Sequence, residues 1–211
     1  MRVSSTLVPG WVIAAATAGL TLMSLGAAAQ DASEAQSSFE EGRYDDALRL
    51  INERRQGGGA GPEDTYLAAQ ALVRLERRDD ARNELGSLDQ FGQPWSDVGQ
   101  SARALLDGNL GLAGEAAGRA VVASPDQFVA QYQLGQALME AQNWPLAAAA
   151  FERASELRPT FAYAHYYAGL ASSRIQRIDR TALHFEYFLK LAPMAPERLA
   201  VESIMRTLRG R

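Results

Sequence analysis

The sequence predicts an all-α protein: an α-solenoid of about five helix-turn-helix hairpins over residues 30–195, closed by a C-terminal capping helix over residues 196–211. Three observations carry this. A small residue returns at a nearly fixed step, with Ala47, Ala81, Ala113 and Ala147 standing 34, 32 and 34 apart and Thr181 another 34 further on; a period of that size marks stacked repeats. Apolar residues recur at helical spacing, as in Ala147, Ala150, Phe151, Ala154 and Leu157, which builds one apolar helix face. After Ser33 no segment alternates with the two-residue period of a strand, and β-branched residues are few.

Residues 1–29 are a different material. Arg2 is the only charged residue before Asp31, the stretch from Leu7 to Ala29 is apolar or small, and it closes on Ala27-Ala28-Ala29-Gln30. A basic start, an apolar middle and a small-x-small ending predict a secretory signal peptide and an exported protein. The alternative is an uncleaved membrane anchor, since about 20 apolar residues can span a bilayer; Pro9, Gly10, Gly19 and Gly26 weigh against it.

The clearest repeat unit runs from Phe128 to Thr160. Leu134, Gly135 and Leu138 share a face of its first half, and the apolar series from Ala147 to Leu157 forms its second. Between them Gln142-Asn143-Trp144-Pro145 reads as a tight turn, with Pro145 suited to the first turn of the second helix. Pro159 ends that helix because it cannot donate the next hydrogen bond. Gly135, Ala147 and Ala154 let the helix axes approach, while Phe151 and Leu138 fill the space beside them. Such a hairpin cannot bury its own faces and needs stacked neighbours.

These residues resemble a tetratricopeptide repeat, a 34-residue helical hairpin with small residues at repeat positions 8, 20 and 27, an aromatic at 24 and proline at 32. Counting Phe128 as the first position, Gly135, Ala147, Ala154, Phe151 and Pro159 fill those places. The resemblance implies a right-handed solenoid. The following copy, from Ala162, keeps Gly169, Phe185 and Pro193 but carries Thr181 and an oversized Phe188, so the last hairpin is expected to pack on something different. Upstream copies keep Ala69, Ala81 and Leu85, then Ser101, Ala113 and Ala120, with an irregular loop at Asp89–Asp97 where their registers overlap. The first copy, Asp31 to about Gly61, keeps Ala35, Tyr44 and Ala47 but has Arg54 at a small-residue position and a glycine-rich turn at 57–61. The capping helix, Glu197 to Leu208, offers Leu199, Ile204, Met205 and Leu208 as its apolar residues.

Chemistry is hard to build from this chain. The absence of cysteine excludes disulfides, thiolate metal sites and a cysteine nucleophile. Without Arg2 there remain 20 basic against 25 acidic residues and no basic run, so nucleic acid is not an expected partner. The glycine run lacks the Gly-Lys-Ser/Thr of a P-loop. His165 and His184, on opposite helices of one repeat, lack a metal-binding spacing and read as packing or surface residues. Asp45-Asp46 and Asp79-Asp80 begin second helices, where carboxylates complement the dipole. No cofactor, no metal and no catalytic residue is expected.

In the resembling family, first helices line a concave groove. The matching positions here are Tyr66, Gln70 and Arg74; Trp95, Val98, Ala102 and Leu105; Tyr132, Gln136, Met139 and Glu140; and Tyr163, Tyr166, Leu170 and Arg174. Tyrosine, glutamine and arginine suit an extended peptide or a helix. For Trp95 and Tyr163, packing between adjacent first helices stands level with the groove; for Tyr66, Tyr132 and Tyr166 the matched spacing favours the groove. The resemblance thus implies a non-catalytic interaction scaffold or adaptor with a protein or peptide partner. Its setting is expected to be the bacterial cell envelope, in the periplasm or, with an uncleaved anchor, on the periplasmic side of the inner membrane. The alternative is a structural subunit of a stable envelope complex that uses its outer face, the Phe188 region or the C-terminal helix. A small-ligand receptor or enzyme would need a pocket around His165, Tyr166 and His184. The groove assignment predicts that Phe151→Ala costs about 3–5 kcal/mol, whereas Tyr132→Ala spares folding and weakens partner binding.

Overall fold

The computed structural model describes residues 34–210; the expected signal peptide of residues 1–29, with its alternative as an anchor, lies outside them. Among the described residues the chain is helical, without strands. The helices are α1 (residues 34–40), α2 (Tyr44–Gln56), α3 (Pro62–Arg74), α4 (Arg78–Gly86), α5 (Trp95–Leu106), α6 (Leu110–Ala123), α7 (Phe128–Glu140), α8 (Trp144–Leu157), α9 (Ala162–Arg174), α10 (Ile178–Leu191) and α11 (Arg198–Arg209). Consecutive pairs from α1/α2 to α9/α10 form hairpins 1 to 5, and each second helix from α2 to α8 packs on the first helix of the next hairpin.

The hairpin turns share one device. Gly42, Glu76, Gly108, Gln142 and Gln176 are all left-handed, with φ of 79°, 60°, 73°, 57° and 59°. The residue after each donates its N–H back to the ending helix: Arg43 to Ser38 O, Arg77 to Leu72 O, Asn109 to Ala104 O, Asn143 to Leu138 O and Arg177 to Ser172 O, at 2.8–3.0 Å. This closes off orphan carbonyls at the helix C-terminus. The next helix begins at once, and Pro145 lies in the first turn of α8 as its fixed φ predicts. Asp45, Asp46, Asp79 and Asp80 lie in first turns, as read from the sequence.

Within hairpins 4 and 5 the small-against-aromatic pairing is steric. A Cβ on Gly135 would come within 2.7 Å of the Phe151 ring, and one on Gly169 within 2.6 Å of Phe185. In hairpin 3 Ser101 takes the small position and bonds across to Ala113 O at 2.8 Å. The irregular loop predicted near Asp89–Asp97 is a 3₁₀ turn (Ser87–Phe91), then Gly92 and a cis Gln93–Pro94 bond before α5. Arg54, a misfit to the repeat pattern, forms an ion pair with Asp64 through Nη1 while its Nη2 donates to Gly59 O at 3.1 Å. It therefore ties down the glycine-rich turn.

The capping helix is present, with two corrections. Val201 and Met205 are its buried residues, packed with Phe185, Phe188, Ala192 and Ala195, whereas Leu199 is 76% exposed and faces away from that core. Phe188, a candidate outer interface, is fully buried beneath α11. Its size is the reason the final hairpin ends on a cap: the ring needs apolar cover that a small residue would not. No helix among the described residues is long and apolar enough to cross a membrane.

The glycines give a test with opposite signs. Gly135→Ala drives a methyl into Phe151 and should destabilise by about 1–3 kcal/mol. Gly118→Ala on α6 meets nothing within 4 Å, and should be neutral or stabilise by up to about 1 kcal/mol through helix propensity. Urea titration of both variants checks the pair.

Candidate functional site

The concave face is built by the first helices α3, α5, α7 and α9, but the chain's own ends occupy much of it. Phe39 of α1 is buried with its ring 5.4 Å from Tyr163 of α9 and 5.6 Å from Tyr44 of α2. Glu40 accepts the Ala162 N–H at 2.8 Å, and Gln36 donates to Thr160 O at 3.2 Å. At the other edge Glu197, just before α11, accepts from Tyr163 at 2.8 Å and pairs with Arg74 at 2.9 Å. Arg74 also donates to the Tyr167 hydroxyl at 3.2 Å, and its guanidinium lies 5.1 Å from the Tyr163 ring centroid. The first turn reaches the same place: a Cβ on Gly42 would come within 2.7 Å of Pro196. Glycine is doubly required there, by that contact and by its positive φ.

This closure corrects the tyrosine assignments. Tyr66, Tyr132 and Tyr163 are 4%, 2% and 0% exposed, so they are core rings and not groove contacts. Tyr66 donates to Gln133 at 2.7 Å and meets Tyr132 edge-on, with centroids 6.5 Å apart. Tyr132 in turn packs on Phe128, Phe151, Phe161 and Tyr167. Burial pushes the Tyr66 and Tyr132 phenols upward, and burial together with the Glu197 charge does so for Tyr163, so all three stay neutral. For Tyr163 the packing reading is the correct one. Trp95 is half-buried and packs on the main core. Tyr166 is half-buried against Phe188, 5.1 Å away. Arg174 is exposed, its guanidinium 5.3 Å from the Trp144 ring centroid.

Seven of the predicted residues do come together, Ala102 among them. Gln70, Arg74, Gln136 and Glu140 line a cleft of about 320 Å³ between α3, α5 and α7, with Leu105 and Met139 as apolar lining. Val73, Arg78 and Tyr167 line it too and were not legible as groove residues. Val73 lies beside Arg74 on α3 and is 36% exposed. Gln70 also borders a second cleft of about 530 Å³ that runs along α1 and the start of α7, lined by Glu63, Phe128, Arg158 and Phe161.

The two histidines are in contact but packed. His165 Nε2 meets Pro159 O at 3.1 Å, which makes Nε2 the protonated nitrogen and leaves Nδ1 to accept from His184 Nδ1–H at 3.3 Å. The His165 ring stacks on Tyr187, with centroids 4.9 Å apart. Among the described residues there is no cluster of three or more histidine or carboxylate groups able to hold a metal.

The chain has the tetratricopeptide-repeat solenoid fold. TTC0263, a thermophilic tetratricopeptide protein of Thermus thermophilus, matches it with a TM-score of 0.59 and 17% identity, over 87% of this chain and all of that one. YrrB, a tetratricopeptide protein with an unusual peptide-binding site, matches with a TM-score of 0.50 and 16% identity, over 82% of this chain and 90% of that one. No protein-family model matches the sequence, and none of the curated proteins matches it.

Two predictions follow the geometry. Tyr132→Ala should cost about 3–5 kcal/mol of stability, the range for deleting a buried aromatic ring, instead of sparing the fold; chemical denaturation reads it. Burial, reinforced by His165, Arg180 and Arg177, depresses His184 from 6.5 to about 4. Between those pH values the unfolded chain binds the extra proton, so this stability is complete above pH 6.5 and is lost as pH falls toward 4. The Tm advantage of wild type over His184→Gln should therefore shrink across that window, and a constant difference would contradict it.

Proposed function

We propose that this protein is a non-catalytic interaction scaffold of the bacterial cell envelope, exported by its N-terminal segment, that holds a partner peptide in the cleft between α3, α5 and α7. The observation that carries this reading is the lining of that cleft. Gln70 of α3 and Gln136 of α7 line it, the latter also bonding to the buried Tyr132, and Leu105 and Met139 add apolar surface. Amides can pair with a peptide backbone, and a flexible methionine adapts to different side chains. YrrB, of the same fold, is described as having a peptide-binding site, which supports a peptide as the class of partner. Envelope placement is supported by the sequence pattern of residues 1–29. Arg74 lines the cleft but is engaged with Glu197 and Tyr167, so we assign it to shaping the wall.

A second reading, the structural subunit, draws support from Met194 and Leu199, 70% and 76% exposed around the start of α11. Site-specific photo-crosslinking in the native host separates the two. A crosslinker at Val73 should capture a partner, and Gln70→Ala should weaken that capture at least about tenfold, equivalent to about 1.4 kcal/mol, while leaving Tm unchanged. Capture from Leu199 alone would overturn the cleft in favour of the outer face.

A further inference from the structure

The way α1 docks on hairpin 5 has the features of a ligand in a site. Helix α9 has no side-chain cap of its own: its N-cap residue is Phe161, and the cap is supplied by Glu40, 122 residues away in sequence, accepting the Ala162 N–H at 2.8 Å. A carboxylate is the group a helix N-terminus favours, by free N–H groups and dipole together. One residue earlier, Phe39 puts its ring edge-on to Tyr163 at 5.4 Å. Aromatic anchor and carboxylate cap are thus adjacent in sequence and read by adjacent features of one surface. The cleft of about 530 Å³ beside α1, lined by Gln36, Glu40, Phe128, Arg158 and Phe161, leaves that surface open along one side.

We propose that the surface now filled by Phe39 and Glu40 is a second binding site, for a partner helix carrying phenylalanine followed directly by glutamate, and that such a helix binds by displacing α1. The proposal rests on the interaction-scaffold reading but concerns a different surface from the α3–α5–α7 cleft. Its occupant is defined by chemistry: the ring fills the place against Tyr163 and Tyr44, and the next side chain caps α9. Glu40 is only 5% exposed, and burial pushes its carboxyl from 4.5 up to about 7. The Glu40 contribution to docking stability is complete below pH 4.5 and is lost as pH rises through 7. Gln36 donates to the carboxyl, Glu41 repels it, and Glu63, Asp64 and Arg158 line the adjoining cleft. The contacts of α1 with hairpin 5, through Gln36, Phe39 and Glu40, border the open cleft, and a competing helix can enter from that side.

The probe is a fluorescein-labelled peptide copying residues 34–41, EAQSSFEE, added to full-length protein and followed by fluorescence polarisation. Wild type should bind it weakly because the site is self-occupied. Phe39→Ala, which loosens α1, should bind at least tenfold tighter, and the peptide with phenylalanine replaced by alanine should not bind either protein. Should Phe39→Ala fail to fold, Glu40→Ala removes only the cap and carries the same expectation. Absence of a gain in a folded variant overturns the proposal, as does equal binding of the peptide lacking phenylalanine. Failure of both variants to fold overturns it too, since the site could then never be vacated. Crosslinking at the α3–α5–α7 cleft is unaffected by any of these outcomes, so the two readings fail separately.

Discussion

Tyr163 is the ring on which the closed shape of this array depends. A stack of helical hairpins leaves the inner faces of its first helices uncovered, and apolar rings there must find cover within the chain or from a partner. Here the cover comes from within. Tyr163 of α9 meets Phe39 from the first hairpin, Arg74 from the second, Phe188 from α10 and Glu197 from the segment before α11. Elements from both ends and the middle of the chain therefore converge on one fully buried side chain. The polar contacts fix register, and the rings supply the apolar burial that holds the contact shut.

That closure decides what function the fold can support. An open solenoid offers one long concave groove; this one offers two shorter clefts, with Gln70 on the border of both. The tyrosines that would have floored the groove are spent as core. Both clefts set glutamines, Gln36, Gln70 and Gln136, beside charged residues such as Arg74, Glu63 and Arg158. The attachment of the first hairpin to hairpin 5 runs through a few named contacts and a carboxyl whose charge is disfavoured.

Contacts within a repeat and between neighbouring repeats were legible in the sequence. Gly135 against Phe151, Gly169 against Phe185, Pro145 at the start of α8 and a capping helix at the end all follow from periodicity and steric size. Contacts across the array were not legible. Repeat spacing says which face a residue occupies relative to its neighbour, but the curvature that brings α1 onto α9 is the sum of small rotations over every hairpin. Tyr66 and Tyr132 depart from the groove expectation for that reason: inward-facing is correct, but inward here means core. Arg54 failed the repeat pattern because it answers Asp64, and Phe188 failed it because α11 covers it. Such departures from a repeat consensus mark a specific partner in the next element of the chain, Asp64 on α3 for Arg54 and α11 for Phe188.

Because the chain has no cysteine, paired spin labels can be placed at Ser37 and Thr160 without other changes; both positions are exposed and border the α1 cleft. Double electron–electron resonance between them measures directly whether the first hairpin lies on hairpin 5. Closure predicts a single short distance at the lower limit of the method. A broad distribution centred on long distances would mean an open array, and would contradict both the buried state of Tyr163 and everything built on it.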